Sequence, residues 1–161
     1  MRVIFLDVDG VLNSEMFASQ MRKDEGISIF NEDILDRRAL ANLAQIVREA
    51  GATIVLSSSW RKISSAREAL VAQLAEYGLA IHSDTPYTGG ERGDDITAWF
   101  KQHRDLSISS YVILDDDSDM GVHLPHLVQT RFHGWGLERK HVKPAVKLLL
   151  KQSERTDLHE S

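Results

Sequence analysis

Val3-Ile4-Phe5-Leu6-Asp7-Val8-Asp9-Gly10-Val11-Leu12-Asn13 is the stretch that decides the fold. Four consecutive apolar residues rich in β-formers read as a buried strand, and Gly10 supplies the freedom for a sharp turn just beyond it. Asp7 and Asp9 therefore stand where the strand leaves its sheet, which is where open α/β sheets bind ligands. Two positions apart on an extended segment, their carboxylates share a side, and like charges that close require a metal, a proton or a basic partner.

Two later segments repeat the design. Thr53-Ile54-Val55-Leu56 runs into Ser57-Ser58-Ser59-Trp60-Arg61, and Tyr111-Val112-Ile113-Leu114 runs into Asp115-Asp116-Asp117-Ser118-Asp119. Between them lie segments of helical character. Leu40, Leu43 and Val47 recur at helical spacing from about Asp33 to Ala50, with Asn31 as a cap and Gly51 as the stop. Ser65 to Glu68 has capping-box spacing ahead of Leu70, Leu74 and Tyr77, and Asp94 or Asp95 opens a helix bearing Ile96, Trp99 and Phe100. Leu79 to His82 reads as a third strand and Leu127 to Thr130 as a fifth. A final helix carries Val142, Val146 and Leu149, with Pro144 at its start or at a kink. Ser14 to Phe30 reads as an irregular connection or small surface insertion.

Strands alternating with helices predict a Rossmann-like three-layer α/β sandwich around a mainly parallel sheet of about five strands, without a large cap domain. Residues 1–152 make one domain and 153–161 a frayed tail. In such a sheet the strand ends at Leu6, Leu56 and Leu114 open on one edge and bring acid, hydroxyl and acid groups together.

Composition narrows the chemistry. The chain has 161 residues, 42% hydrophobic and 27% charged, enough for one well-buried domain. No apolar run is long enough to cross a bilayer and the N-terminus lacks a secretory pattern, so a soluble cytoplasmic protein is expected. With no cysteine, disulfides, thiolate metal sites and cysteine nucleophiles are excluded, leaving oxygen or imidazole ligands. Carboxylates at two strand ends, with a hydroxyl from a third, suit octahedral Mg2+ paired with a phosphate, and no EF-hand spacing argues for calcium. The ion also offsets repulsion between carboxylates and phosphate, roughly 4 kcal/mol per unit-charge pair at about 4 Å with an effective dielectric of 20. A net charge of −5 argues against broad attraction to nucleic acid. A local basic edge is nevertheless present at Arg131, His133, Arg139, Lys140, His141 and Lys143, which reads equally as a solvated helix start.

FLDVDGVLN, VLSSSWR and VILDDD, in that order and each at the end of an apolar strand, resemble the first, second and fourth motifs of the haloacid dehalogenase (HAD) superfamily of phosphohydrolases. The resemblance implies that Asp7 is a nucleophile that becomes a transient aspartyl phosphate and that Asp9 is the general acid and base. It further implies that Ser57 with Ser58 binds the phosphoryl group, and that Asp116 and Asp115 hold Mg2+ with Asp7 and the backbone carbonyl of Asp9. The usual third-motif Lys is missing. Arg92 is the candidate replacement, with Lys62 as the alternative, and Arg61 could instead grip the phosphate. The short segments between motifs imply an open cleft that admits a phosphorylated macromolecule, a nucleic-acid end or a phosphoprotein. The pattern is also similar to compact HAD-like domains associated with RNA-repair enzymes. Two other classes compete. A receiver-like signalling module would carry its phospho-accepting Asp after a middle strand, where this chain has Ser57. A catalytically silent HAD-like binding domain is suggested only by the missing Lys.

Overall fold

The structure is a computed structural model that describes residues 1–151; the tail expected at 153–161 lies outside the described residues. Five strands form the sheet: β1 (Arg2–Leu6), β2 (Ala52–Leu56), β3 (Ile81–Asp84), β4 (Ser110–Asp115) and β5 (Leu127–Gln129). Their order is β3-β2-β1-β4-β5 and every pairing is parallel. The first strand is thus central, flanked by β2 and β4, and all carboxyl ends share one edge.

Alternation along β1 divides the core. Ile4 and Leu6 face one side with Ile54, Leu56, Val112 and Leu114, and pack against α2 (Arg37–Ala50), α3 (Ser64–Ala75) and α5 (Arg139–Leu150). Val3 and Phe5 face the other side with Val55 and Ile113, and pack against α4 (Arg92–Gln102). Phe5 meets Trp99 edge-on at 5.3 Å between ring centroids, so Trp99 is a core residue. Both faces of the sheet are covered, giving the three-layer α/β sandwich. Among the described residues no helix is long and apolar enough to cross a membrane.

Several boundaries differ from the pattern-based expectation, each for a local reason. The segment expected to be irregular contains α1 (Glu15–Glu25), capped by Ser14, whose Oγ accepts from the Phe17 N–H, and ended by Gly26 in the left-handed region. Its buried residues Phe17 and Ala18 form a separate small cluster with Ile29, Met21, Ile34 and Trp135, too sparse to give a helical signal. Asp36, not Asn31, caps α2. The third strand begins at Ile81, because Leu79 is spent on the end of α3, its N–H donating to Leu74 O at 3.0 Å. No side chain caps α3, since a 3-10 turn (Ser59–Lys62) leads almost directly into it. Glu91 and Asp94 form a reciprocal capping box at α4, so Arg92 is the first residue of that helix rather than part of the loop before it. Pro144 lies inside α5.

Candidate active site

The sheet ladder continues one residue past the strands and fixes the site backbone. Asp7 N–H donates to Leu114 O at 3.0 Å, Ser57 N–H to Leu6 O at 2.7 Å, and Thr130 N–H to Asp115 O at 2.9 Å. Asp7, Ser57 and Asp115 are therefore neighbours on one edge, and each is almost fully buried. Carboxylate oxygens of Asp7, Asp115 and Asp116 all lie within 4.8 Å of one another.

Behind the first strand the chain turns at Gly10 with φ +84°, where a Cβ would lie 2.5 Å from Asp116 Cγ. A side chain at this position would displace Asp116, so glycine is required both for the turn and for the approach of the β4 loop. Gly10 is pinned further by its N–H, which donates to Asn13 Oδ1 at 3.0 Å, and by its carbonyl, which accepts from Thr130 Oγ1 at 2.6 Å. Asn13 in turn donates from Nδ2 to Asp9 Oδ1 at 2.8 Å, and Trp60 Nε1 donates to the same oxygen at 3.1 Å. Two fixed donors thus orient Asp9, which is only half-buried.

Arg92 reaches the acid cluster from the first turn of α4. Its Nη1 stands 3.4 Å from Asp7 Oδ1 and 3.4 Å from Asp115 Oδ2, and donates to Ser57 O at 2.9 Å. Its backbone N–H donates to Asp119 Oδ2 at 3.2 Å. Burial works against its charge, but Asp7, Asp115, Asp119 and Asp116 outweigh that and raise its pKa, so the guanidinium stays charged.

A family model described as the HAD domain in Swiss Army Knife RNA repair proteins matches residues 3–142. The chain belongs to this HAD family. No curated protein and no solved structure gives a significant match.

The HAD domain places the other sequence-derived candidates differently. Ser58 is fully buried and its Oγ accepts from the Trp60 N–H at 3.2 Å, capping the 3-10 turn. Arg61 is ion-paired at 3.0 Å to Asp95, with both side chains more than nine-tenths buried, and also donates to Ser58 O. Lys62 Nζ rests over the Tyr87 ring, 3.1 Å from its centroid. Of the three basic candidates, Arg92 is the one in ion-pair contact with Asp7 and Asp115. Three contributors escape sequence reading: Trp60 as the partner of Asp9, Asp95 as the partner of Arg61, and Asp119 as the anchor of the Arg92 backbone. Asp119 alone carried a signal, since it closes the acidic run after β4. Of the expected basic edge, Arg131 and Lys140 are exposed, whereas His141 is buried, its Nδ1 accepting from the Glu138 N–H at 2.9 Å.

Burial raises Asp7 to about 7, against the opposing pull of Arg92 and the Val8 N–H. Burial, and next the charge of Asp7, raise Asp115 to about 9. Both oxygens of Asp7 are buried and neither accepts a well-formed hydrogen bond from the described residues, the Val8 N–H and the Arg92 guanidinium acting on them without good hydrogen-bond geometry. Orphaned buried carboxylate oxygens converging with those of Asp115 and Asp116 are the donor set that a hard divalent cation takes, so the residues present fit such an ion.

The two raised carboxyls weaken the metal-free protein at alkaline pH, where the buried His123 and His141, both lowered by burial, are already neutral. Unfolded, each carboxyl titrates near 3.8; folded, they hold protons to about 7 and about 9. The folded state binds more protons between those limits, so their contribution to stability is full below about 3.8 and lost as pH rises through about 7 and then about 9. In EDTA, thermal melts are expected to give a Tm several degrees lower at pH 9 than at pH 6. Added Mg2+ is expected to raise Tm more at pH 9 than at pH 6. A Mg2+ response independent of pH would show that these carboxyls do not hold the ion.

Proposed function

We propose that this HAD domain is a Mg2+-dependent phosphatase that hydrolyses phosphate monoesters through an aspartyl-phosphate intermediate, acting on a macromolecular substrate such as a nucleic-acid end. The observation that carries this reading is Asp7: a buried carboxyl with no well-formed hydrogen bond on either oxygen, beside the Arg92 guanidinium and within one ion's reach of Asp115 and Asp116. An ordinary structural Asp buried this far would be hydrogen-bonded.

The two displacements follow. Asp7 Oδ attacks phosphorus, the bond from phosphorus to the ester oxygen breaks, and Asp9 delivers its proton to that oxygen. Water then attacks phosphorus and gives a proton to Asp9, and the bond to Asp7 breaks to release phosphate. Trp60 Nε1 and Asn13 Nδ2 both hold Asp9 Oδ1, leaving Oδ2 for the proton. Ser57 is the phosphoryl-binding hydroxyl, at the strand end beside Asp7. Arg92, held on Ser57 O, neutralises the transferring group, while Ser58 and Arg61 support the phosphate from behind by fixing the 3-10 turn and its contact with Asp95. Asp7, Asp115 and Asp116, with the Asp9 carbonyl, would hold Mg2+, which would supply charge neutralisation between carboxylates and phosphate.

Phosphate release from p-nitrophenyl phosphate and from oligonucleotides phosphorylated at either end tests the proposal. Turnover is expected with Mg2+ and none in EDTA. Arg92→Ala is expected to lower kcat by about 100-fold and Arg92→Lys by less, because the ammonium keeps the charge but not the planar guanidinium whose Nη1 meets Asp7, Asp115 and Ser57 O. Absence of phosphate release from every substrate would overturn the reading in favour of a silent binding domain.

A further inference from the structure

An exposed aromatic ring stands on the loop next to the strand end that bears Ser57 and has no part in the phosphoryl chemistry. Tyr87, in the loop between β3 and α4, is 65% exposed. The loop around it is firmly held. Thr85 N–H extends the sheet onto Leu56 O at 2.9 Å, Thr88 donates to Asp95 Oδ1 from its N–H at 3.0 Å and from its hydroxyl at 2.7 Å, and Gly90 N–H donates to Thr88 Oγ1 at 3.2 Å. Asp95 Oδ2 meanwhile accepts from Arg61, so one buried carboxylate joins the loop to the 3-10 turn that follows Ser57 and Ser58. That turn supplies Lys62, whose ammonium lies over the Tyr87 ring. The strand end bearing Ser57 and the loop bearing Tyr87 are adjacent, because Leu56 pairs with Asp84 in the sheet.

We propose that Tyr87 and Lys62 form a nucleotide subsite beside the phosphoryl site, Tyr87 stacking on the base next to a terminal phosphate and Lys62 pairing with the adjoining phosphodiester of a single strand. The inference rests on the phosphatase reading of the acid cluster and names the substrate class of that site. An anchored loop presents the ring with little ordering entropy left to lose on binding. Every base offers a π-face, and a cation beside an aromatic is the pairing that single-strand sites use without reading sequence. The chain carries a net charge of −5, so a phosphodiester needs a local cation, and Lys62 is exposed. A phosphopeptide fits less well, since it brings neither an obligatory π-face nor a second phosphate for Lys62.

The test is fluorescence anisotropy with the full chain carrying Asp7→Asn, titrated onto single-stranded octanucleotides phosphorylated at the 5′ or 3′ end, with a phosphoserine peptide alongside. Tyr87→Ala in that background is expected to weaken oligonucleotide binding about tenfold, the effect of one lost base stack, and Tyr87→Trp to preserve it. Lys62→Ala is expected to weaken binding several-fold and to reduce the slope of log affinity against log salt by about 0.7. With Asp7 intact, Tyr87→Ala is expected to leave p-nitrophenyl phosphate turnover unchanged. Oligonucleotide affinity insensitive to Tyr87→Ala, absence of oligonucleotide binding, or tighter and equally Tyr87-dependent binding of the peptide overturns the subsite. Failure of the wild-type chain to turn over p-nitrophenyl phosphate sinks the phosphatase reading instead, and the binding series reports the subsite separately.

Discussion

Asp7→Asn is expected to lower kcat for p-nitrophenyl phosphate by about 10³-fold or more while leaving the protein folded and, without metal, more stable at alkaline pH. The amide keeps the size of the carboxyl but is a poor nucleophile, and no other carboxyl occupies its position beside Arg92. The stability gain has a separate origin. Asp115 is held near 9 by burial and next by the charge of Asp7, so removing that charge lets Asp115 ionise more readily and relieves part of the alkaline penalty. Steady-state kinetics and melts at pH 6 and pH 9 read the two effects. A variant with full activity removes Asp7 as nucleophile. A variant that loses both activity and the folded state leaves the kinetic loss unassigned to chemistry, and Asp7→Ser, smaller and uncharged, then serves as the second substitution: folded and inactive is the expected result.

Loss of kcat and gain of Tm in one variant is the pattern of a group retained for function at the expense of the fold. It also marks which parts of the molecule were legible in sequence. Buried parallel strands are written as unbroken apolar runs, so β1, β2 and β4 stand out, and with them the polar residues immediately beyond: Asp7, Ser57, Asp115 and Asp116 are neighbours because their strands are. Arg92 was legible as a basic residue before a helix, although the capping box that makes it the first helical residue pairs Glu91 with Asp94, ahead of where the aspartates alone would start the helix. The contacts that orient the site were not legible. Trp60 meets Asp9 across 51 residues of chain and Arg61 meets Asp95 across 34, distances over which neither periodicity nor a local turn gives a signal. Short α1 was hidden for a different reason: only Phe17 and Ala18 of its eleven residues are buried, too few to mark a face.

Gly93→Ala is expected to disable the site without touching any reacting group. An added Cβ would lie 2.3 Å from Met120 O and 2.5 Å from Met120 C, both backbone atoms, so one of the two segments has to move. Those segments are latched at this point: Gly93 N–H donates to Asp119 O at 3.1 Å, and Arg92 N–H donates to Asp119 Oδ2 at 3.2 Å. Separating them carries the start of α4 away from β4, and Arg92 with it, from the 3.4 Å positions it holds against Asp7 and Asp115. Overpacking of this kind costs about 1–3 kcal/mol, a fall of roughly 3–10 °C in Tm for a domain of this size. Turnover is expected to fall toward the level of Arg92→Ala. Gly26→Ala supplies the contrast. It occupies a left-handed position with φ +66° but has nothing within 4 Å, so it costs about 1–2 kcal/mol in backbone strain and leaves kcat unchanged. If Gly93→Ala loses as much stability as Gly26→Ala and keeps its kcat as well, the distance from Arg92 to the acid pair does not govern turnover.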